Sequence, residues 1–472
     1  MRRLLPLLIA SAIMLCFIGC KKKETEITDD TPKVKFLTLD PGHFHAALVQ
    51  KAMYDQVSPV VHVYAPEGAD VQDHLNRIKG FNSRTDSPTK WDEKVYTGDD
   101  FLEKMIADNK GNVVITSGNN SRKTDYIYKA VDAGFNILAD KPMVISPDKF
   151  DLLVQSFDKA KEKGVLIYDV MTERHEITTM LQKELANIPA VFGELKKGTP
   201  EEPAITKESV HHFFKYVAGN PIKRPGWFFD PAQRGEGLVD VSTHLVDLIQ
   251  WECFPGQIID YKKDIEMLTA KRWATDMTID EFKKVTRLDA IPDYLQKYAD
   301  GDKVSAVSNG EMVYKIKDVH AKVSVIWNYQ APEGAGDTHY SIMRGTKCNL
   351  IIQQGADEGY KPTLYVEALE NLDVASSDIE DFESTTMGVS LDRAVNEKLQ
   401  KKYPGISIEK VADGKWKVNV PKKYHIGHEA HFAQVTKKYL GYLKDGKLPD
   451  WEVPNMIAKY YTTTQALKKV NE

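Results

Sequence analysis

Cysteine is scarce, with four among 472 residues. That excludes a scaffold built on disulfides, and the positions of Cys16, Cys20, Cys253 and Cys348 form neither a Cys-x-x-Cys pair nor a zinc knuckle. An excess of one charge is also missing. The 63 basic side chains face 68 acidic ones, a formal net charge of −5, which argues against a nucleic-acid binder. The apolar stretch from Leu4 to Ile18 is shorter than the ~20 residues of a membrane span, so a polytopic membrane protein is excluded. Internal repeats and low-complexity tracts are absent too, leaving no solenoid and no disordered polymer. What is present is 42% hydrophobic residues in a chain long enough for two or three domains, at roughly 100–200 residues each, with cores of their own.

Arg2 and Arg3 precede the apolar stretch, which ends at Phe17-Ile18-Gly19-Cys20. A basic start, a short apolar core and a small residue before the cut are the parts of an export signal. Gly19-Cys20 resembles a bacterial lipobox, whose cysteine sulfur is acylated and becomes the new N-terminus; an ordinary secretory signal is the alternative. We expect residues 1–19 to be a lipoprotein signal peptide, Cys20 to be lipidated, and residues 20–32 to be a charged tether of about 40 Å at full extension. The expected location is exported, lipid-anchored at a bacterial membrane and facing the periplasm or cell surface. For Cys253 and Cys348 a bridge and two free core thiols both stay open.

From Val34 the pattern alternates short apolar strands with amphipathic helices, the mark of an α/β layer on a parallel sheet. Expected strands are Val34 to Leu39, Val60 to Tyr64, Asn112 to Thr116, Phe135 to Ala139 and Val165 to Val170. Expected helices cover His45 to Tyr54, Phe101 to Ala107, Lys123 to Ala133 and Pro147 to Glu162. Lys79 to Trp91, rich in Gly, Ser, Thr and Pro, reads as a surface loop. After residue 190 come longer strands of alternating polarity, such as Val304 to Lys317 and Ala321 to Trp327, with helices near 236–252 and 427–470. The fold class is therefore an α/β Rossmann-like domain over 33–172, then an α+β domain over 173–472 with a largely antiparallel open sheet, its last helices packing back on the first domain.

Open parallel sheets bind ligands at the carboxyl ends of their strands. The first such turn reads Asp40-Pro41-Gly42-His43-Phe44-His45-Ala46-Ala47. A dinucleotide fingerprint has three glycines there; only Gly42, the middle one, is present. The second strand ends Tyr64-Ala65-Pro66-Glu67, where Glu67 would grip a ribose only after a shift of two. Asp40, His43 and His45 are suitable metal ligands. A helix-capping Asp40 with two polar first-turn histidines is the preferred reading, and no metal is expected.

Two later stretches carry more. Val113 to Asn120, followed by a helix and then Ala133-Gly134-Phe135-Asn136-Ile137-Leu138-Ala139-Asp140-Lys141-Pro142, resembles the Gfo/Idh/MocA oxidoreductases, whose hallmark Glu-Lys-Pro is here Asp140-Lys141-Pro142. Gly235-Glu236-Gly237 to Asp247 is similar to the family's glycine-rich turn and its helix with Asp-x-x-x-His. Gly427 to Gln434, leading to Leu443 to Lys447, resembles its last segment. The resemblance spans roughly residues 33 to 470.

Asp240, His244 and Asp247, at i, i+4 and i+7, are expected on one helix face beside a stripe of Leu238, Val241, Leu245, Leu248 and Ile249. An imidazole beside a carboxylate suits proton transfer near neutral pH. The resemblance implies hydride transfer between a carbinol carbon and NAD or NADP, tightly bound in an exported relative and possible to run as a redox-neutral cycle in glycan processing. His244 would take the hydroxyl proton, Lys141 would stabilise the alkoxide and Asp240 would position substrate or tune His244. Gly42, His43, Phe44, Ser117, Asn119, Asp140 and Lys141 would hold the cofactor. Arg174, His212, Tyr216, Trp227 and Asp240 would contact a carbohydrate or polyol, with Lys223 and Arg224 nearby. A homo-oligomer is expected through the open sheet near residues 304–327. The alternative is a non-catalytic sugar-binding or partner subunit that kept the fold and lost the nucleotide.

Overall fold

A computed structural model of the chain describes residues 34–217, 220–369 and 387–472. The expected export signal, the expected lipidation site Cys20 and the expected tether lie outside the described residues.

Short apolar runs such as Phe36-Leu37-Thr38-Leu39 and Val113-Val114-Ile115-Thr116 are buried on both faces, as parallel strands between helical layers must be. They belong to a six-stranded, wholly parallel sheet of β1 (Phe36–Leu39), β2 (Val60–Ala65), β3 (Asp92–Thr97), β4 (Val113–Thr116), β5 (Asn136–Ala139) and β6 (Ile167–Asp169). The order β3-β2-β1-β4-β5-β6 is that of the dinucleotide-binding fold, with its topological switch between β1 and β4. Helices α1 (His45–Val49), α2 (Ala69–Ser83), α3 (Phe101–Asp108), α4 (Lys123–Asp132) and α5 (Phe150–Lys163) connect the strands.

Three features of this half depart from the sequence reading. α1 stops at Val49 instead of reaching Tyr54. α2 runs to Ser83, inside the segment expected to be loop, and β3 follows at Asp92. β3 escaped notice because it is an edge strand whose side chains are mostly solvent-facing, so Asp-Glu-Lys-Val-Tyr-Thr shows no apolar pattern.

The second domain has a ten-stranded sheet. β7 (Ile205–Phe214) lies inside it, parallel to Val319–Gln330 and antiparallel to Thr338–Arg344; all other named pairings in the sheet are antiparallel. α6 (Ile177–Ala186) and the one-turn α7 (Pro231–Arg234) precede α8 (Ser242–Cys253), which packs on β7 and on Val319–Gln330. The closing helices His428–Asp445 and Glu452–Lys469 return to the first sheet, where Phe432, Tyr439, Met456 and Tyr460 enter its core. This is the expected Rossmann-like domain followed by an α+β domain. Cys253 and Cys348 are free thiols. No helix among the described residues is long and apolar enough to cross a membrane.

Candidate functional site

The loops after β1, β4, β5 and β6 all leave from the same end of the parallel sheet, and α8 with its preceding turn meets them from the second domain. Gly237 permits that approach. A Cβ there would sit 2.4 Å from the Ser308 carbonyl oxygen and 2.7 Å from the Gly310 nitrogen, so only glycine lets the turn lie against the sheet.

Lys141, just past β5 at a cis bond to Pro142, reaches across the domain boundary to Asp240, with Nζ donating to Oδ1 at 2.7 Å. The other oxygen of Asp240 accepts from Arg234 of α7 at 2.8 Å from Nε and 2.5 Å from the terminal nitrogen. Burial would raise the Asp240 carboxyl, but the two cations hold it far below the usual carboxylate range. Asp240 is therefore a fixed anion that aims the Lys141 ammonium.

His244, on the first turn of α8, is buried, and its Nδ1 has no hydrogen-bond partner. Burial, followed by the charge of Lys141, pushes its pKa down to about 4, against a smaller opposing pull from Glu173. At neutral pH it is an uncharged base. Glu173, in the turn after β6, pairs with His428 Nδ1 at 3.3 Å from the start of the helix His428–Asp445. Burial alone would raise the Glu173 carboxyl, while the His428 contact and surrounding histidines hold it well below the usual range.

At the first turn, His43 Nδ1 lies 3.3 Å and His45 Nδ1 3.1 Å from Asp140 Oδ2, which also accepts from Ser117 Oγ at 2.9 Å. The buried Lys123 ammonium donates to the Asp140 carbonyl oxygen at 2.9 Å. Asp40 is not part of this group. Its carboxylate accepts from the Tyr126 hydroxyl at 2.9 Å, and burial raises its pKa. The histidines thus join Asp140 from β5, not Asp40 beside them in sequence. Phe44 packs against both imidazoles, 4.6 Å from one ring and 4.5 Å from the other.

Gly42 carries a second interdomain contact. Trp227 Nε1 donates to Asp70 Oδ2 at 2.9 Å, and a Cβ on Gly42 would meet that oxygen at 2.8 Å and the indole at 3.3 Å. Asn119 also spans the boundary, donating to Gln233 at 2.7 Å while its oxygen accepts from the Ser121 N–H.

Several expected contacts are corrected. Arg174 is not free to meet a substrate: it is buried, with Nε and a terminal nitrogen on Asp247 at 2.6 and 2.7 Å and its other terminal nitrogen on Glu452 at 2.6 Å. Asp247 is consequently not on the catalytic face but in this ion cluster, where Lys459 also joins it. Asp240 lies before α8 rather than on it. Tyr216 is 66% exposed and packs edge-on against Phe214. His212 is buried against Asp337, and Arg224 is spent on the carbonyl oxygens of His212 and Phe213. Lys223 is a surface partner of Asp73.

Sequence reasoning missed Arg234, Glu173, His428 and Asp70. It also missed a Ser209–His211–Asp337 chain, its first two members on β7 and Asp337 just before the strand Thr338–Arg344, with Ser209 Oγ 2.7 Å from His211 Nε2 and Nδ1 of that ring 2.9 Å from Asp337. The signal for His428 was its place in the Gly-His-Glu-Ala-His run. Nothing local marks the others.

A Rossmann-type sheet with a lysine, a carboxylate and a neutral buried histidine at its carboxyl edge defines a two-domain oxidoreductase. Residues 181–471 match the family described as "Putative oxidoreductase C terminal domain". The crystal structure of "a putative oxidoreductase from Parabacteroides merdae ATCC 43184" is 58% identical over 93% of this chain and 98% of that one, with a TM-score of 0.89. The chain belongs to the Gfo/Idh/MocA oxidoreductase family. Two more distant structures share the fold. Levoglucosan dehydrogenase in complex with NADH is 12% identical over 93% of this chain and 97% of that one, TM-score 0.53. KijD10, a 3-ketoreductase from Actinomadura kijaniata in complex with NADP and TDP-benzene, is 11% identical over 90% and 94%, TM-score 0.52. No curated protein sequence matches this chain.

Proposed function

We propose that the protein is a sugar or glycoside oxidoreductase that moves hydride between a carbinol carbon and a tightly held NAD or NADP. The observation that carries this reading is the Lys141–Asp240 contact at the domain boundary together with His244, which feels the Lys141 charge and whose Nδ1 is buried and unpartnered. A buried ring nitrogen without a partner, under the charge of an aimed ammonium, suits a ligand that brings a hydroxyl group.

The residues fit the reacting end of a nicotinamide cofactor, which when bound supplies the two-electron acceptor. Gly42, His43, Phe44, Ser117, Asn119 and Asp140 would hold it. Asp70 and Trp227 stand over Gly42 and would turn aside to admit a phosphate. His244 takes the hydroxyl proton as the carbonyl forms, and Lys141 stabilises negative charge on that oxygen, an effect worth about 3–4 kcal/mol for a single well-placed donor. Asp240 and Arg234 keep the ammonium on target. Trp227, buried in the closed arrangement, would present its indole to a sugar ring once turned aside.

Export and lipid anchoring at Cys20 would remove the protein from free pools of nucleotide, so a retained cofactor and a redox-neutral cycle in glycan processing complete the proposal. The other reading, a sugar-binding or partner subunit without nucleotide, draws support from the lone glycine of the turn and the Trp227–Asp70 pair closed over it. Mass spectrometry of small molecules released by denaturing the purified protein separates them. About one NAD(P) per chain is expected; none released, and no rise in melting temperature with added NAD(P), would leave the non-catalytic reading.

A further inference from the structure

We propose that His43, His45 and Asp140 form a binding site for a divalent first-row transition-metal ion, with at least one position left for an oxygen donor from the bound ligand. This goes beyond the nicotinamide reading and does not rest on it.

The ligand atoms are the first support. One ring nitrogen of His43, one of His45 and a carboxylate oxygen of Asp140 all lie within 4.8 Å of one another. Protein nitrogen and oxygen ligands bind zinc at about 2.0–2.2 Å, so tetrahedral ligands are about 3.3–3.5 Å apart. The observed separations from Asp140 Oδ2, 3.3 Å to His43 and 3.1 Å to His45, are close to that spacing. They are longer than the ~2.7–2.9 Å of a charge-assisted hydrogen bond between imidazolium and carboxylate.

The arrangement of the rings is the second. Their centroids are 4.0 Å apart and their planes meet at 76°, so the imidazoles are not stacked; both turn an Nδ1 edge to the same oxygen. That oxygen already accepts from Ser117, and it faces more donors than its lone pairs serve well. A cation in their midst would replace two long contacts with three short ligand bonds.

The surroundings are the third. Asp140 is held from behind by Ser117 Oγ and, through its carbonyl oxygen, by Lys123, while the His43 N–H donates to the Ser117 carbonyl at 3.2 Å. Such outer partners orient ligands in built metal sites. Two imidazoles and one carboxylate are a donor set suited to zinc, iron, cobalt or nickel rather than magnesium or calcium. Because Asp140 immediately precedes Lys141, an ion held there would lie beside the oxidoreductase site and be able to polarise an oxygen of whatever occupies it.

The test uses untagged, full-length protein and metal alone. After stripping with chelator, titration with Zn²⁺ should load about one ion per chain at this site, and Co²⁺ should give the visible absorption of a four- or five-coordinate centre. His45→Ala and Asp140→Asn should weaken binding at least about 100-fold, and Ser117→Ala by about 10- to 100-fold, the range for lost outer partners. His43→Gln, at a partly exposed position, keeps the test sound if the buried variants misfold, and circular dichroism checks each. Failure of wild-type protein to hold a stoichiometric ion, or unchanged affinity in folded His43→Gln, would overturn the site. Neither result bears on whether NAD(P) is released on denaturation.

Discussion

Lys141 and Asp240, 99 positions apart in the chain, meet at 2.7 Å between the two domains, and the same carboxylate is clamped from the other side by Arg234. A lysine on a flexible stem becomes a positioned charge only through such a contact. The site is therefore assembled by domain packing.

Removing the aimed charge tests its role. Lys141→Met should lower kcat for oxidation of a permissive glycoside by about 100- to 1,000-fold, as for other single donors to a developing oxyanion. Asp240→Asn leaves the ammonium unaimed and should cost a comparable factor. Steady-state kinetics with circular dichroism as a folding control measure both, and unaltered turnover in Lys141→Met would reject the assignment.

His244 sets the acid side of the rate profile. Its pKa is pushed down to about 4 by burial and Lys141, so the neutral base persists well below the ordinary histidine value of 6.5. The plot of kcat/KM against pH should stay level from 7 down to about 5 and decline only below that, within the range where the protein is folded. A midpoint near 6.5 would contradict a buried neutral base.

Arg174 is expected to matter for stability. It joins Asp247 and Glu452 in a buried cluster, and Arg174→Met would leave Glu452 without its cation and Asp247 with Lys459 alone. Breaking a buried pair from one side costs about 3–5 kcal/mol. Urea unfolding should show a loss of that order, whereas a residue that only touched substrate would leave the midpoint unmoved.

Acid should destabilise the fold through its buried histidines. His74, His175 and His244 have pKa values lowered to about 4, and His339 to about 3, chiefly by burial. As pH falls from about 6.5 to 4 the unfolded chain binds these protons and the folded chain does not, so stability present above 6.5 is lost over that window. For the buried His74 and His244 the loss is on the order of a few kcal/mol each. Glu93, raised by burial to about 7, takes up a proton in the folded chain over the same window and offsets part of it. Melting temperatures at pH 7 and pH 5 should therefore fall toward the lower value; an equal or higher one at pH 5 would contradict the burial of these rings.

Much of the architecture was legible because periodicity reports burial. β1, β4 and β5 are short apolar runs enclosed by helices, and Lys141, Asp240 and His244 stand out through motif spacing. β3 was invisible because an edge strand with exposed side chains has no apolar signature. Arg174 and Asp247 were misplaced for another reason: a charged residue near a strand end reads the same whether it meets solvent, substrate or a buried counter-ion supplied 278 residues away by Glu452.

By itself the sequence determined the order of layers, the two-domain plan and the identity of the residues available for proton and charge transfer, because these depend on local pattern and residue chemistry. The tertiary structure alone decided the partners. It turned Asp40 to Tyr126 and placed Asp140 between His43 and His45, set Arg234 behind Asp240, and left His244 Nδ1 buried with nothing to bond. Charge and hydrogen bonding act through distances of a few ångströms, and those distances come from chain segments that only folding brings together.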